Sequence, residues 1–239
     1  MAHGFRHGSG GALKKVPVLN EAYPQDVSVN EVGTSVSFSV LVAEAGSPNE
    51  YTYQWYYDGV AITGAIEAGY TMNAEFGSHT VFCVVSNEAG MVTSREATVT
   101  AEIEYIYKTG TIYPIASDIK MKDGKNALSK QTSQLKMSTT GNNVWDHCYF
   151  TKTIDLTKYK TLYFVGKVTI TGAGDYWGQF EFGAYSSLSS SAASKISGAK
   201  SQGTHSVDVS KLTGKYYVSF YLKGFANYAV AEVQQVYLK

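Results

Sequence analysis

Apolar and polar residues alternate with a period of two along much of this chain, and that period predicts strands. Between Val32 and Val42, the residues Val36, Phe38, Val40 and Val42 fall on one face, while Ser35, Ser37 and Ser39 fall on the other. This is the pattern of an antiparallel strand with one buried side. A loop at Ser47-Pro48-Asn49-Glu50 leads into a strand over residues 51–57. Asp58-Gly59 then predicts a two-residue hairpin turn, because these residue types tolerate the positive φ such a turn requires. Val60-Ala61-Ile62 returns from it. A further strand is predicted over residues 79–86, and Asn87-Glu88-Ala89-Gly90 turns the chain into Met91-Val92-Thr93 and onward to Val99.

Alternating segments recur at roughly ten-residue spacing in the second half. Strands are expected over Gln134–Ser138, Val144–Ile154, Thr161–Ile170, Gln179–Tyr185, Thr204–Val209, Tyr216–Lys223 and Tyr228–Leu238. Gly-, Asn- and Ser-rich stretches separate them at residues 139–143, 171–175 and 186–193. Seven or eight short strands with this punctuation predict a sandwich or jelly roll.

Composition sharpens the division. The chain has 239 residues, enough for two ordinary domains. Residues 1–104 carry 4 Lys/Arg against 12 Asp/Glu, and residues 105–239 carry 16 against 8. Thirteen of the 19 Tyr fall after residue 104. The expected organisation is therefore a flexible segment over 1–15, one domain over 16–104 and a second over 105–239, with a short, stiff junction. No run approaches the ~20 apolar residues of a membrane span, and no signal-peptide h-region is readable at the N-terminus. The basic half contains no Arg, whose planar fork specific nucleic-acid recognition leans on, so no nucleic-acid partner is expected. Two cysteines make neither a disulfide framework nor a structural zinc site.

The first domain resembles bacterial and phage immunoglobulin-like domains, through the run Tyr53-Gln54-Trp55-Tyr56-Tyr57-Asp58-Gly59 and the run Phe82-Cys83-Val84-Val85-Ser86-Asn87-Glu88-Ala89-Gly90. The resemblance implies that Trp55 is the buried tryptophan of the sandwich and that Cys83 lies in the facing strand. Two departures matter. The cysteine that would pair with Cys83 is missing, since Val36, Phe38 and Val40 fill the inward positions of its strand, and Val81 stands where the family has a tyrosine two residues before the cysteine. Cys83 is then a small buried hydrophobe with no disulfide.

Two phrases of the second domain resemble phage-tail and carbohydrate-binding-like jelly rolls: Ile154-Asp155-Leu156-Thr157-Lys158-Tyr159 and Val207-Asp208-Val209-Ser210-Lys211-Leu212. Each is expected to be a strand ending in Asp, a one-turn excursion, then a long strand, with Asp and Ser/Thr satisfying free N–H groups at the corner. At the N-terminus, Gly4-Phe5-Arg6-His7-Gly8-Ser9-Gly10-Gly11 resembles the opening of tail- and virion-associated proteins of phages and prophages of Gram-positive hosts. That resemblance implies docking on other virion proteins through Phe5, Arg6 and His7. A plain Gly-rich linker is the other reading.

Candidate chemistry is sparse. Asp175 and Glu181 could form a glycosidase carboxylate pair, and Asp146-His147-Cys148 invites a nucleophile reading. Adjacent strand residues face opposite ways, however, which separates His147 from Cys148. The five histidines are too dispersed for a metal signature, and no phosphate-binding glycine motif is present. No catalytic residue, metal or cofactor is expected. Aromatic residues beside Gly- and Asn-rich loops are better candidates, because sugars stack on aromatic faces while Asp, Asn or His take their hydroxyls. These are Trp145 and His147 at one loop and Asp175, Tyr176 and Trp177 at another. Core packing is the competing role for the same aromatics. Tyr216, Tyr217, Tyr221 and Tyr228 read as sheet-face residues without a functional role.

The sequence thus predicts an all-β chain, an immunoglobulin-like β-sandwich followed by a jelly-roll β-sandwich. Its expected role is that of a non-catalytic virion protein, assembled in the host cytoplasm, that recognises a host-surface glycan, with a homo-oligomer compatible with the surface. The alternative is a carbohydrate-binding accessory module of a secreted or cell-surface protein.

Overall fold

A computed structural model describes residues 13–141, 144–171 and 178–239. The expected contacts of Phe5, Arg6 and His7, and of Asp175, Tyr176 and Trp177, lie outside the described residues. The chain divides into two compact units, Met1–Glu102 and Ile103–Lys239. Every regular element among the described residues is a β-strand.

In the first unit, one sheet joins Val27–Glu31, the start of Ala97–Lys108, Gly77–Asn87, Thr52–Tyr57 and Val60–Ala61. Ser35–Ser39 pairs with Gly69–Asn73, and Val18–Leu19 with Val42–Glu44. The alternation expected around Val36 is observed: Val36, Phe38 and Val40 are buried, and Ser35, Ser37 and Ser39 are exposed. They pack with Trp55, Val81, Cys83 and Val85 into one apolar core. Trp55 stands opposite Cys83 in register. Asp58 and Gly59 both have positive φ, 46° and 77°, the requirement of the hairpin turn that joins Tyr57 to Val60. Beyond the turn at residues 87–90, the strand Gly90–Thr93 and the strand that begins at Ala97 are separated by residues 94–96. Ser94 fills the break: its Oγ accepts the Cys83 N–H at 3.0 Å and donates to the Arg95 carbonyl at 2.8 Å.

The second unit is built on two antiparallel sheets. One orders Asn126–Lys130, Leu135–Thr139, Ala229–Leu238, Thr161–Ile170 and Lys200–Asp208. The other orders Ile119–Met121, Val144–Phe150, Lys215–Gly224, Gln179–Tyr185 and Ser194–Ser197. Phe164 of the first sheet packs edge-on against Phe180, Phe182 and Phe220 of the second, at centroid distances of 5.0–6.0 Å. Such tilted aromatic pairs suit the ring quadrupole and add to the apolar burial. The strand expected over 144–154 ends at Phe150, and Ile154–Asp155 pairs separately with Tyr216 and Lys215. Three short strands, Ile119–Met121, Asn126–Lys130 and Ser194–Ser197, carry too few alternating residues to be read from sequence.

The two Asp corners behave as their residues dictate. Asp155 Oδ1 accepts from the N–H and hydroxyl of Thr157, and Asp208 Oδ1 accepts from the N–H of Ser210. Thr157 Oγ1 in turn accepts the Gly214 N–H at 2.9 Å, fastening one corner to the other.

Candidate functional site

The outer face of the second sheet, turned away from the phenylalanine cluster, carries the richest set of polar and aromatic side chains. Strand pairing creates it. Trp145 stands opposite Lys223, which stands opposite Gln179. In the next row on the same face, His147 stands opposite Tyr221, and Tyr221 opposite Glu181. Directly opposite residues share a face and touch. The intervening positions Cys148, Phe150, Phe180, Phe182, Phe220 and Leu222 fill the core. The result is a groove of about 350 Å³, lined by Trp145, Gln179, His147, Tyr221 and Glu181 of these rows together with Tyr185, Lys195 and the segment 188–191.

Gly183 shapes one wall. A Cβ there would lie 2.1 Å from the Ser194 carbonyl oxygen. Only glycine lets the returning chain approach so closely, and that approach brings Lys195 to the groove. Lys195 pairs with Glu181, and Glu181 Oε2 also accepts from the Tyr185 hydroxyl at 3.2 Å. Burial, with Glu181 next to it, pushes the Tyr185 phenol well above its usual range, and burial also raises that of Tyr221. Both are protonated donors at neutral pH.

His147 is 4% exposed and lies against Tyr185 and Tyr221, with ring centroids 4.9 and 5.2 Å away. The Ser219 hydroxyl donates its one proton to the Cys148 carbonyl at 3.1 Å. Its oxygen therefore receives the proton of His147 Nδ1 at 3.0 Å. Burial, helped by the Lys122 ammonium, holds the His147 pKa below its ordinary value, so the ring is neutral. Nε2 is left as an acceptor.

Trp145 is 41% exposed, standing on the strand Val144–Phe150 rather than in the loop before it. Its ring lies 6.3 Å from that of Tyr221, with Lys125 Nζ at 5.0 Å and Lys122 Nζ at 5.8 Å. Asp146, beside it in sequence, points into the protein and is fully buried. Its two carboxylate oxygens accept the N–H groups of Asp123 and Lys125, at 2.9 and 2.8 Å, holding the 122–125 turn against the groove. Asp146 is thus an anchor. Cys148 lies in the core, where burial and then Asp146 hold its thiol protonated. The three neighbours of the Asp-His-Cys run serve three separate surroundings, with only His147 in the groove.

Among the sequence candidates, the structure brings Trp145 and His147 together and adds Tyr221, Tyr185, Gln179 and Lys195. Tyr221 was read as a plain sheet-face residue. Its register opposite both His147 and Glu181 is a tertiary fact with no local signal. Glu181 is the only carboxylate among the described lining residues. Among the described residues no group of three or more His, Cys, Asp or Glu could hold a metal ion.

No protein-family model matches the chain, and no curated protein does. Solved structures do resemble it. One is a low-affinity xylan-binding module, CBM86, of Roseburia intestinalis, at 15% identity and a TM-score of 0.35, covering 52% of this chain and 90% of that one. A family 11 carbohydrate-binding module of Clostridium thermocellum, in complex with a mixed-linked tetrasaccharide, aligns at 13% identity and 0.29, covering 51% and 84%. SGBP-B of the Bacteroides ovatus mixed-linkage glucan utilization locus, in complex with a mixed-linkage heptasaccharide, aligns at 9% identity and a TM-score of 0.30, covering 93% of this chain and 99% of that one.

Proposed function

We propose that the chain is a non-catalytic glycan-binding protein, an accessory module of a secreted or cell-surface assembly, whose C-terminal unit holds a sugar chain in the groove on the outer sheet face. The observation that carries this reading is the pair of cross-strand rows, Trp145–Lys223–Gln179 and His147–Tyr221–Glu181. A half-exposed indole offers an apolar face to sugar C–H groups. Around it stand acceptors (Glu181, His147 Nε2), donors (Lys195, Tyr221) and Gln179, which is both. A groove open along a sheet suits an extended chain of hydroxyl-bearing units. Glu181, tied to Lys195 and Tyr185, serves as a hydrogen-bond acceptor rather than as half of a hydrolytic pair.

Affinity electrophoresis against a panel of neutral and acidic polysaccharides tests the reading. At least one should retard the protein, and Trp145→Ala should weaken that interaction about tenfold or more, roughly 1.4 kcal/mol. Because Trp145 is exposed, its melting temperature should stay within about 2 °C of the parent. No retardation by any polysaccharide, or retardation indifferent to Trp145→Ala, overturns it. The virion role, with host-cytoplasmic assembly, is a separate proposal supported only by the motif over residues 4–11. Deleting residues 1–12 and measuring incorporation into particles tests it.

A further inference from the structure

With the groove taken as a glycan site, the charges around its tryptophan narrow the class of sugar. Four lysines stand at the groove. Lys195 is matched by Glu181, and Lys125 by Asp123 at 3.3 Å. The other two have no carboxylate partner among the described residues. Lys122 Nζ donates to the Leu188 carbonyl at 3.1 Å and to Ser189 Oγ at 3.3 Å, both neutral. Lys223 lies in the row between Trp145 and Gln179 and has no hydrogen-bond or ion-pair partner among the described residues. Asp146, a further described carboxylate nearby, faces the core and is occupied by main-chain N–H donors.

We propose that the groove selects glycans carrying acidic sugars, with a uronic acid stacked on Trp145 and its carboxylate directed to Lys223 and Lys122. Lys122 Nζ stands over the indole, 5.8 Å from its centroid, and Lys223 is the cross-strand neighbour of Trp145, so positive charge lies within reach of a carboxylate on a sugar stacked there. The pairing is a charge-assisted hydrogen bond in a partly dehydrated groove. A neutral sugar in the same place would cover two lysines without supplying a counter-charge, which disfavours it. The excess of lysine over Asp and Glu across residues 105–239, 16 against 8, adds a field that draws polyanions in.

The test separates charge from sugar identity. Affinity electrophoresis of the full chain uses polygalacturonate before and after methyl esterification, and glucuronoxylan before and after carboxyl reduction. In at least one pair the acidic form should bind about tenfold tighter than its neutralised form, a preference that shrinks toward about 0.5 M NaCl. Lys223→Gln should lower the acidic-to-neutral ratio about threefold at an unchanged melting temperature. Lys122→Gln should lower it too, but it also frees the 188–191 segment, so Lys223 is the deciding variant. Equal, Trp145-dependent binding of both forms overturns the acidic-sugar proposal and leaves the glycan reading standing. Binding of the acidic form that survives Trp145→Ala overturns the proposal as a bare lysine surface. Absence of any Trp145-dependent binding removes both.

Discussion

Trp55 and Trp145 stand on strands of similar character, yet one is sealed and the other is open. Trp55 is fully buried between Phe38 and Tyr70, with ring centroids at 6.4 and 5.9 Å, and its Nε1–H donates to the Glu67 carbonyl at 2.8 Å. Every part of that side chain has a partner within the first unit. Among the described residues, Trp145 instead has one aromatic neighbour and two ammonium groups, and 41% of its surface is exposed. The difference lies in which face of the sheet each side chain takes. Trp55 faces a second layer of strands and contributes to folding. Trp145 faces away from its second layer and is left for contact with something else.

The largest effect expected from this contrast is on Trp55. Trp55→Ala should cost about 3–5 kcal/mol, because the cavity left among Phe38, Tyr70 and Cys83 cannot collapse. Trp145→Ala should cost little stability while acting on binding. Chemical denaturation of the two variants, read by the midpoint, checks this. Comparable losses would show that Trp145 is also a packing residue and would remove it from the groove's function.

Asp146→Ala is expected to come next, at about 2–3 kcal/mol, since it removes the buried carboxylate that accepts the N–H groups of Asp123, Lys125 and His147. It should also weaken glycan retardation, because those N–H groups hold the turn that carries Lys122 and Lys125 to the indole. A variant that loses stability but keeps full binding would show that the turn does not serve the groove.

A smaller effect distinguishes the units by pH. In the first unit, His79 Nδ1 meets Asp58 Oδ2 at 2.7 Å and Nε2 meets the Phe76 carbonyl at 3.1 Å, so both ring nitrogens donate and the ring is cationic. Burial is the largest single influence and opposes that charge, but the hydrogen bonds to Asp58 and the Phe76 carbonyl and the charges of Asp58 and Glu75 together outweigh it and raise the pKa. Its stabilising contribution is therefore full below the ordinary histidine value of about 6.5 and is lost as pH rises through the folded value. His147 is shifted the other way. It favours the folded state above about 6.5 and loses that contribution as pH falls toward its folded value. NMR titration should find His79 above and His147 below the free value. A shift of the same sign at both would break the contrast.

The smallest expected signal is chemical. Cys83 and Cys148 are free and buried, and burial pushes the Cys83 thiol up to about 11. Thiol titration should find neither reactive in the native protein and two after unfolding without reductant. One disulfide, or a fast native thiol, would contradict the packing of both cores.

Much of this architecture follows from local pattern. The Val36-Phe38-Val40 face needs no partner to be recognised, since its other parity is all serine. The Asp58-Gly59 turn and the Asp155 and Asp208 corners are set by backbone geometry and by side chains reaching two residues along the chain. The groove is another matter. On Val144–Phe150 both parities mix polar and apolar residues: Asp146, Cys148 and Phe150 on one, Trp145, His147 and Tyr149 on the other. Period two alone cannot say which face is buried, because either could fill a core. The tertiary structure decides by offering Asp146 the N–H groups of the 122–125 turn and Cys148 and Phe150 an apolar layer. That choice leaves Trp145 and His147 outside. Tyr221, Glu181 and Lys223 reach them only through hydrogen-bond register between strands far apart in sequence, a pairing that no local sequence pattern encodes.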